Sequence, residues 1–194
     1  MKFVTQELNL EDKVCDEQAD EEELVRRAQK DLAQFAVLYD RYVQRVYRFL
    51  LARTADVAEA EDLTSQTFLT AMQKLPSYRS NGHFLAWLFS IARNKQVDNF
   101  RKYQRRDVVE LSENMAESHQ DLVNDIIQKE RRYVLKQILV ELPERDYELL
   151  ALRLAARMSF AEMGVYMHKN SENVKKAYYR LLERLKTRVE GSHE

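Results

Sequence analysis

Apolar residues recur every three or four positions along most of this chain, a period that suits helices with one buried face and not half-buried strands. Phe35, Leu38, Tyr39, Tyr42, Val46, Phe49 and Leu50 fall on one stripe that ends near Arg53. Asp56-Val57-Ala58-Glu59 reads as the capping box of a second helix, whose stripe is Val57, Ala60, Leu63, Phe68, Ala71, Met72 and Leu75. Pro76 stops that helix, and the polar run 77–82 reads as a loop. Phe84, Trp87, Leu88 and Ile91 begin a third stripe. Further on, Leu122, Ile126, Val134, Leu135, Ile138, Leu139 and Leu142 mark a long helix, and Pro143 opens another that carries Leu149, Leu150, Leu152 and Leu154. Ser159-Phe160-Ala161-Glu162 is a second capping box. Ser171 is placed to cap a last helix that buries Val174, Ala177, Tyr178, Leu181, Leu182 and Leu185. Only three glycines and two prolines occur in 194 residues, too few for the tight turns of a β-rich fold. The expected fold is all-α.

Charge divides the chain. Residues 1–23 hold nine acids against two lysines, and residues 107–125 hold six acids with no Lys or Arg. Between and after them lie two basic blocks, six cations against one acid in 93–106 and seven against two in 169–188. Two basic surfaces separated by an acidic connector suit two small helical domains better than one uniform domain. The expected division is an acidic, disordered tail at 1–20, a first domain at 21–106, a flexible linker at 107–120 and a second domain at 121–190. The 107–120 stretch has weak periodicity and no aromatics. Extended it reaches ~48 Å, and as a coil it averages ~20 Å.

Several classes of function find no support. Cys15 is the single cysteine, which excludes a disulfide framework, and His83, His119, His168 and His193 are too scattered for a metal site. There is no Gly-rich phosphate loop, no Gly-x-Ser-x-Gly and no Cys/His pair, so neither an enzyme nor a cofactor is expected. The longest apolar run, Phe84 to Ala92, is too short to cross a bilayer, so no membrane insertion is expected. The N-terminus has no apolar segment of the secretory kind, and a reducing cytosol is the expected compartment.

The C-terminal pattern is the sharper one. A helix with Glu162 and Met163, a turn at residues 168–170 and a helix with a basic outer face have helix-turn-helix spacing. The buried set of the last helix leaves Glu172, Asn173, Lys175, Lys176, Tyr179 and Arg180 outward, side chains suited to base edges and phosphates. His168 stands in the turn where glycine would adopt a positive φ at no steric cost. In the first half, Phe84, Trp87, Phe89, Phe100 and Tyr103 are interleaved with cations, as in proteins that stack single-stranded bases. Phe84, Trp87, Leu88 and Ile91 have core spacing, which leaves Arg93, Asn94, Asp98 and Arg101, with the 77–83 loop, as contact candidates. A stand-alone helix-turn-helix regulator and a helical adaptor with merely solvated basic faces remain open on these features alone.

The two halves together carry a resemblance. AEDLTSQTFLTAMQKLPSYR (60–79) and FLAWLFSIARNKQVDNFRKYQRR (84–106) resemble region 2 of extracytoplasmic-function sigma factors of the sigma-70 family, and 142–185 resembles their region 4. The resemblance implies an alternative sigma factor that binds core RNA polymerase and promoter DNA with a melted −10 region. It also implies the sites. Asp62, Gln66 and Phe68 would dock on polymerase. Ser80, Asn81, His83, Arg93, Asn94, Asp98 and Arg101 would read and open the −10 element. Ser171, Glu172, Asn173, Lys175, Lys176, Tyr179, Arg180 and Arg184 would read the −35 element. An anti-sigma factor is a further partner that the family admits. Thr67 stands where the family usually has Glu, His168 where a turn glycine is common, and Gly164 where alanine is usual.

Overall fold

The computed structural model describes the backbone of residues 14–79, 82–104, 137–139 and 141–191, with side chains from residue 20 to 189 within those spans except 101–104. The 107–120 linker, most of the helix expected at 122–142 and the first thirteen residues of the acidic tail lie outside the described residues. All regular elements among the described residues are helical, as expected.

Helix α1 (Val14–Lys30) begins inside the stretch assigned to the acidic tail. Two i,i+4 pairs, Glu22–Arg26 at 3.1 Å and Glu23–Arg27 at 2.8 Å, run in the favourable acid-before-base order. Arg27 and Lys30 in the last turn complement the helix dipole. Asp31 caps a short 3₁₀ turn, Leu32–Gln34, that leads into α2 (Phe35–Thr54). That helix buries Phe35, Leu38, Tyr42, Val46, Phe49 and Leu50, the expected stripe less Tyr39. It ends at Ala55 in a left-handed conformation, φ 56°.

Asp56 then caps α3 (Val57–Lys74) by accepting from Glu59 N at 2.7 Å. The reciprocal half of the expected box is not made, because the Glu59 carboxylate accepts from Asn99 of the next helix instead. A 3₁₀ turn, Leu75–Ser77, with Pro76 inside it closes this segment. Helix α4 (Phe84–Gln104) is the centre of the molecule. It packs on α1, α2 and α3 and on the C-terminal half, so Phe84, Leu85, Ala86, Leu88, Phe89, Ile91 and Ala92 are all buried.

The C-terminal half is α5 (Glu144–Leu150), a π turn over Ala151–Ala155, α6 (Phe160–Tyr166) and α7 (Ser171–Gly191). The π turn bonds Ala156 N to Ala151 O at 2.9 Å, and of the four leucines read on this helix Leu154, within the turn, is 63% exposed. The capping box at 159–162 forms in full. The last helix is capped differently from expectation. Asn170 Oδ1 accepts from Glu172 N at 2.8 Å, so Asn170 is the cap and Ser171 the first helical residue.

The two halves share one hydrophobic core, in which Leu149, Leu152 and Met158 belong with Phe49 and Phe89. Polar contacts frame it. Arg45 of α2 donates to Ala156 O at 2.8 Å and lies 3.4 Å from the Glu162 carboxylate. Tyr147 donates to Ala52 O, and Arg53 pairs with Glu144. Arg53 Nη1 is buried there without a hydrogen bond, a cost of about 1–3 kcal/mol.

Candidate polymerase and nucleic-acid interfaces

On α3, Asp62 is exposed and Gln66 half-buried, and Gln66 Nε2 donates to Asp62 Oδ2 at 2.7 Å. Phe68, expected beside them, is a core residue. It is 4% exposed, with the Phe35 ring at 6.4 Å and the Tyr39 ring at 4.8 Å. The residue that continues the face set by Asp62 and Gln66 is Leu69, at the i+7 position and 55% exposed. The spacing from Asp62 was the signal that could have found it. Thr67 is fully buried, and its hydroxyl donates to Leu63 O at 2.7 Å. Its departure from the family residue therefore alters packing beneath this face rather than the face itself.

The second surface lies on α4. Ser80, Asn81 and the side chain of Arg101 lie outside the described residues. His83, Asn94 and Asp98 are exposed, and Asn94 and Asp98 share one helical face. A groove between α3 and α4 is lined by Thr70 and Lys74 on one side and by Asn94, Lys95 and Asp98 on the other. The α3 contribution was not expected, since it comes from packing and not from spacing within one segment. Of the aromatics, Phe84 and Phe89 are buried, Phe100 is 56% exposed, and Trp87 is half-buried against Tyr78 at 4.6 Å and Phe84 at 5.4 Å.

Arg93 does not stand free on this surface. Its Nε lies 2.9 Å from Glu148 Oε1 of α5, and Tyr166 of α6 donates to the same oxygen at 3.0 Å. Burial and the neighbouring Glu148 charge push the Tyr166 phenol well above its ordinary pKa, so it stays a donor. One of the cations expected on DNA is thus held by the other half of the chain.

The third surface is α7. Glu172, Asn173, Lys176, Tyr179, Arg180 and Arg184 are exposed, while Ser171 and Lys175 are half-buried. Behind them Val174, Tyr178 and Leu181 are buried. Phe160 of α6 anchors the pair, its ring 5.6 Å from Tyr178 and 4.4 Å from the Arg153 guanidinium. Arg184 pairs with Asp146 at 2.6 Å, a half-exposed contact worth ~0–1 kcal/mol that a phosphate can replace.

The turn between the helices is tight. His168 has φ 53°, and Lys169 N bonds Gly164 O at 2.8 Å. A Cβ on Gly164 would lie 2.8 Å from Lys169 O and 3.2 Å from Ser171 N, so the close approach of α6 and α7 depends on glycine there. Among the described residues no group of His, Cys, Asp and Glu is placed to hold a metal ion, and no helix is long and apolar enough to cross a membrane.

Comparison with known proteins gives the family of this all-helical chain. Residues 38–106 match the Sigma-70 region 2 family. The chain is 34% identical over 151 residues to the ECF RNA polymerase sigma factor SigM of Bacillus subtilis, covering 77% of this chain and 91% of SigM. It is also 34% identical over 167 residues to the ECF RNA polymerase sigma factor BldN of Streptomyces coelicolor, covering 84% of this chain but 63% of BldN. The solved structure of CnrH in complex with the cytosolic domain of CnrY superposes with a TM-score of 0.59 at 18% identity, over 88% of this chain and 97% of that one, and shares the fold. The chain belongs to the extracytoplasmic-function sigma factors of the sigma-70 family.

Proposed function

We propose that this chain is an alternative sigma factor that binds core RNA polymerase and directs promoter-specific transcription initiation. Residues 21–106 form the unit that meets polymerase and the −10 element, and residues 121–190 the unit that reads the −35 element. The observation that carries this reading is the exposed set on α7 behind the Gly164 turn, in one chain with the α3–α4 groove.

In this reading α7 enters the major groove by its N-terminal turns. Glu172 and Asn173 face base edges, and Lys175, Lys176, Arg180 and Arg184 face phosphates. Asp62, Gln66 and Leu69 meet polymerase. On α4, His83, Asn94, Asp98 and Arg101, with Ser80 and Asn81 from the loop, take the opened strand. Arg93 joins them once Glu148 lets go. The −10 and −35 positions lie ~25 base pairs apart, ~85 Å along the duplex at ~3.4 Å per pair. The docked halves therefore separate on the promoter. An anti-sigma factor is part of the reading as the regulatory partner.

The test is a split between two variants. Arg180→Glu should lower affinity for −35 duplex and flatten its salt dependence by about one unit of log–log slope, while assembly with core enzyme is unchanged. Asp62→Arg should weaken assembly and leave −35 binding alone. Loss of both activities in either variant contradicts the division of labour.

A further inference from the structure

Helix α1 precedes the 38–106 segment that matches Sigma-70 region 2, yet it holds both described shoulders of the loop that leads into α4. On the near side, Gln29 Nε2 donates to Leu75 O at 3.0 Å and to Tyr78 O at 2.6 Å. On the far side, Glu21 Oε1 accepts from Phe84 N at 3.2 Å. Phe84 is the first residue of α4, so its N–H belongs to the set that no helix can satisfy internally. Glu21 and Gln29 lie on the same face of α1 as the buried Val25 and Ala28.

These contacts are not incidental surface pairs. Glu21 is 7% exposed, and a carboxylate is retained in such a place only where donors surround it. Tyr42 of α2 donates to its second oxygen. At Gly82 the backbone runs close to α1. A Cβ on Gly82, which has φ 73°, would lie 3.0 Å from Glu22 Oε1. The ring of Tyr78, on the same shoulder, packs edge-on to Phe84 at 5.8 Å and against Trp87 at 4.6 Å.

We infer that Glu21 and Gln29 are positioning residues for capture of the opened −10 strand. They hold the two shoulders of the loop at a fixed separation, so that the Tyr78–Trp87 wall and His83 are set before the strand arrives. Shoulders fixed in advance spare part of the ordering cost that binding would otherwise incur. Neither residue touches DNA in this account. The inference rests on the −10 role assigned to α4 and its loop.

The test uses full-length protein assembled with core polymerase, with three affinities measured side by side. The probes are a single-stranded −10 oligonucleotide, a −35 duplex and core enzyme, with both DNA sequences taken from a promoter that the wild-type protein selects. Gln29→Ala and Glu21→Ala should each weaken capture of the single strand about threefold to tenfold, the factor carried by the one net hydrogen bond that each loses at the shoulder beside the strand, Tyr78 O or Phe84 N, besides a second bond to Leu75 O or Tyr42. Affinities for the −35 duplex and for core enzyme should stay at the wild-type level. Glu21→Gln keeps an acceptor for Phe84 N and should capture the strand within about twofold of wild type. Unchanged capture by Gln29→Ala overturns the inference. A parallel fall in all three affinities overturns it too, since that is the signature of a merely structural role. A wild-type holoenzyme that binds the −35 duplex but not the −10 strand would instead refute the −10 reading itself.

Discussion

Replacing Gly164 by alanine sets two effects of opposite sign against each other. Helix propensity favours alanine by ~1 kcal/mol. Sterics oppose it, because the new methyl would stand 2.8 Å from Lys169 O, 3.2 Å from Ser171 N and 3.3 Å from Ser171 Cα. All three are backbone atoms, so no side chain can swing aside. The turn cannot slide freely either, since Lys169 N is bonded to Gly164 O and His168 already holds a positive φ. Forcing a methyl into a packed site costs ~1–3 kcal/mol, and with backbone on every side the upper part of that range applies. The net expectation is a loss of ~1–2 kcal/mol, a fall of roughly 2–8 °C in Tm for a chain of this size. Thermal unfolding followed by circular dichroism reads this directly. A gel shift on −35 duplex should weaken in parallel, because α7 must tilt away from α6. An alanine variant as stable as wild type would refute the argument, and with it the claim that this glycine sets the angle of α7.

The neighbouring residues Phe68 and Leu69 should behave in opposite ways. Phe68→Ala removes a buried ring and should cost ~3–5 kcal/mol, whereas Leu69→Ala should change stability by no more than ~0.5 kcal/mol and weaken assembly with core enzyme. Equal unfolding midpoints for the two would contradict the assignment of core and face. Burial raises the Glu21 pKa above the ordinary carboxylate range, with the Glu162 charge adding to it against the donors Tyr42 and Phe84 N. The folded state then binds more protons than the unfolded one, so this group's contribution to stability falls as pH rises from the ordinary carboxylate pKa through the raised one. Glu21→Gln should flatten that part of the stability profile, and an unchanged slope in denaturant titrations across that window would exclude the effect. Arg45→Ala removes the link from α2 to Ala156 O and Glu162, and should enlarge the radius of gyration of the free protein in small-angle scattering. An unaltered scattering curve would mean that the shared core alone holds the halves together.

Most helices were legible because their apolar residues repeat with the helical period. The α2 stripe from Phe35 to Leu50 needed only counting, and the box at 159–162 is a local signal that forms as written. For α4 the stripe begun at Phe84 marked the helix, but not that neighbours on several sides bury Leu85, Ala86, Phe89 and Ala92 as well. Phe68 and Leu69 are adjacent apolar residues, and only the packing of Phe35 and Tyr39 decides which one turns inward. Asn170 and Ser171 are both competent caps, and the choice depends on where the chain leaves the turn. The docking of the two halves had no local signal at all. Arg45 and Glu162, or Arg93 and Glu148, are distant in sequence and meet only because both halves contribute to one core. Residues 14–20 read as tail because they are acid-rich, yet they form the first turns of α1, whose later residues Val25 and Ala28 are buried.

Run-off transcription with purified core RNA polymerase tests the central claim most directly. A pool of bacterial promoter fragments is transcribed with and without the protein, beside a control sigma factor of known activity. Discrete transcripts that appear only with this protein, and whose upstream sequences share two separated elements, are the expected result. A protein that shifts promoter DNA on its own, yet yields no transcript while the control sigma factor works, would contradict the account and point to a regulator that acts without polymerase.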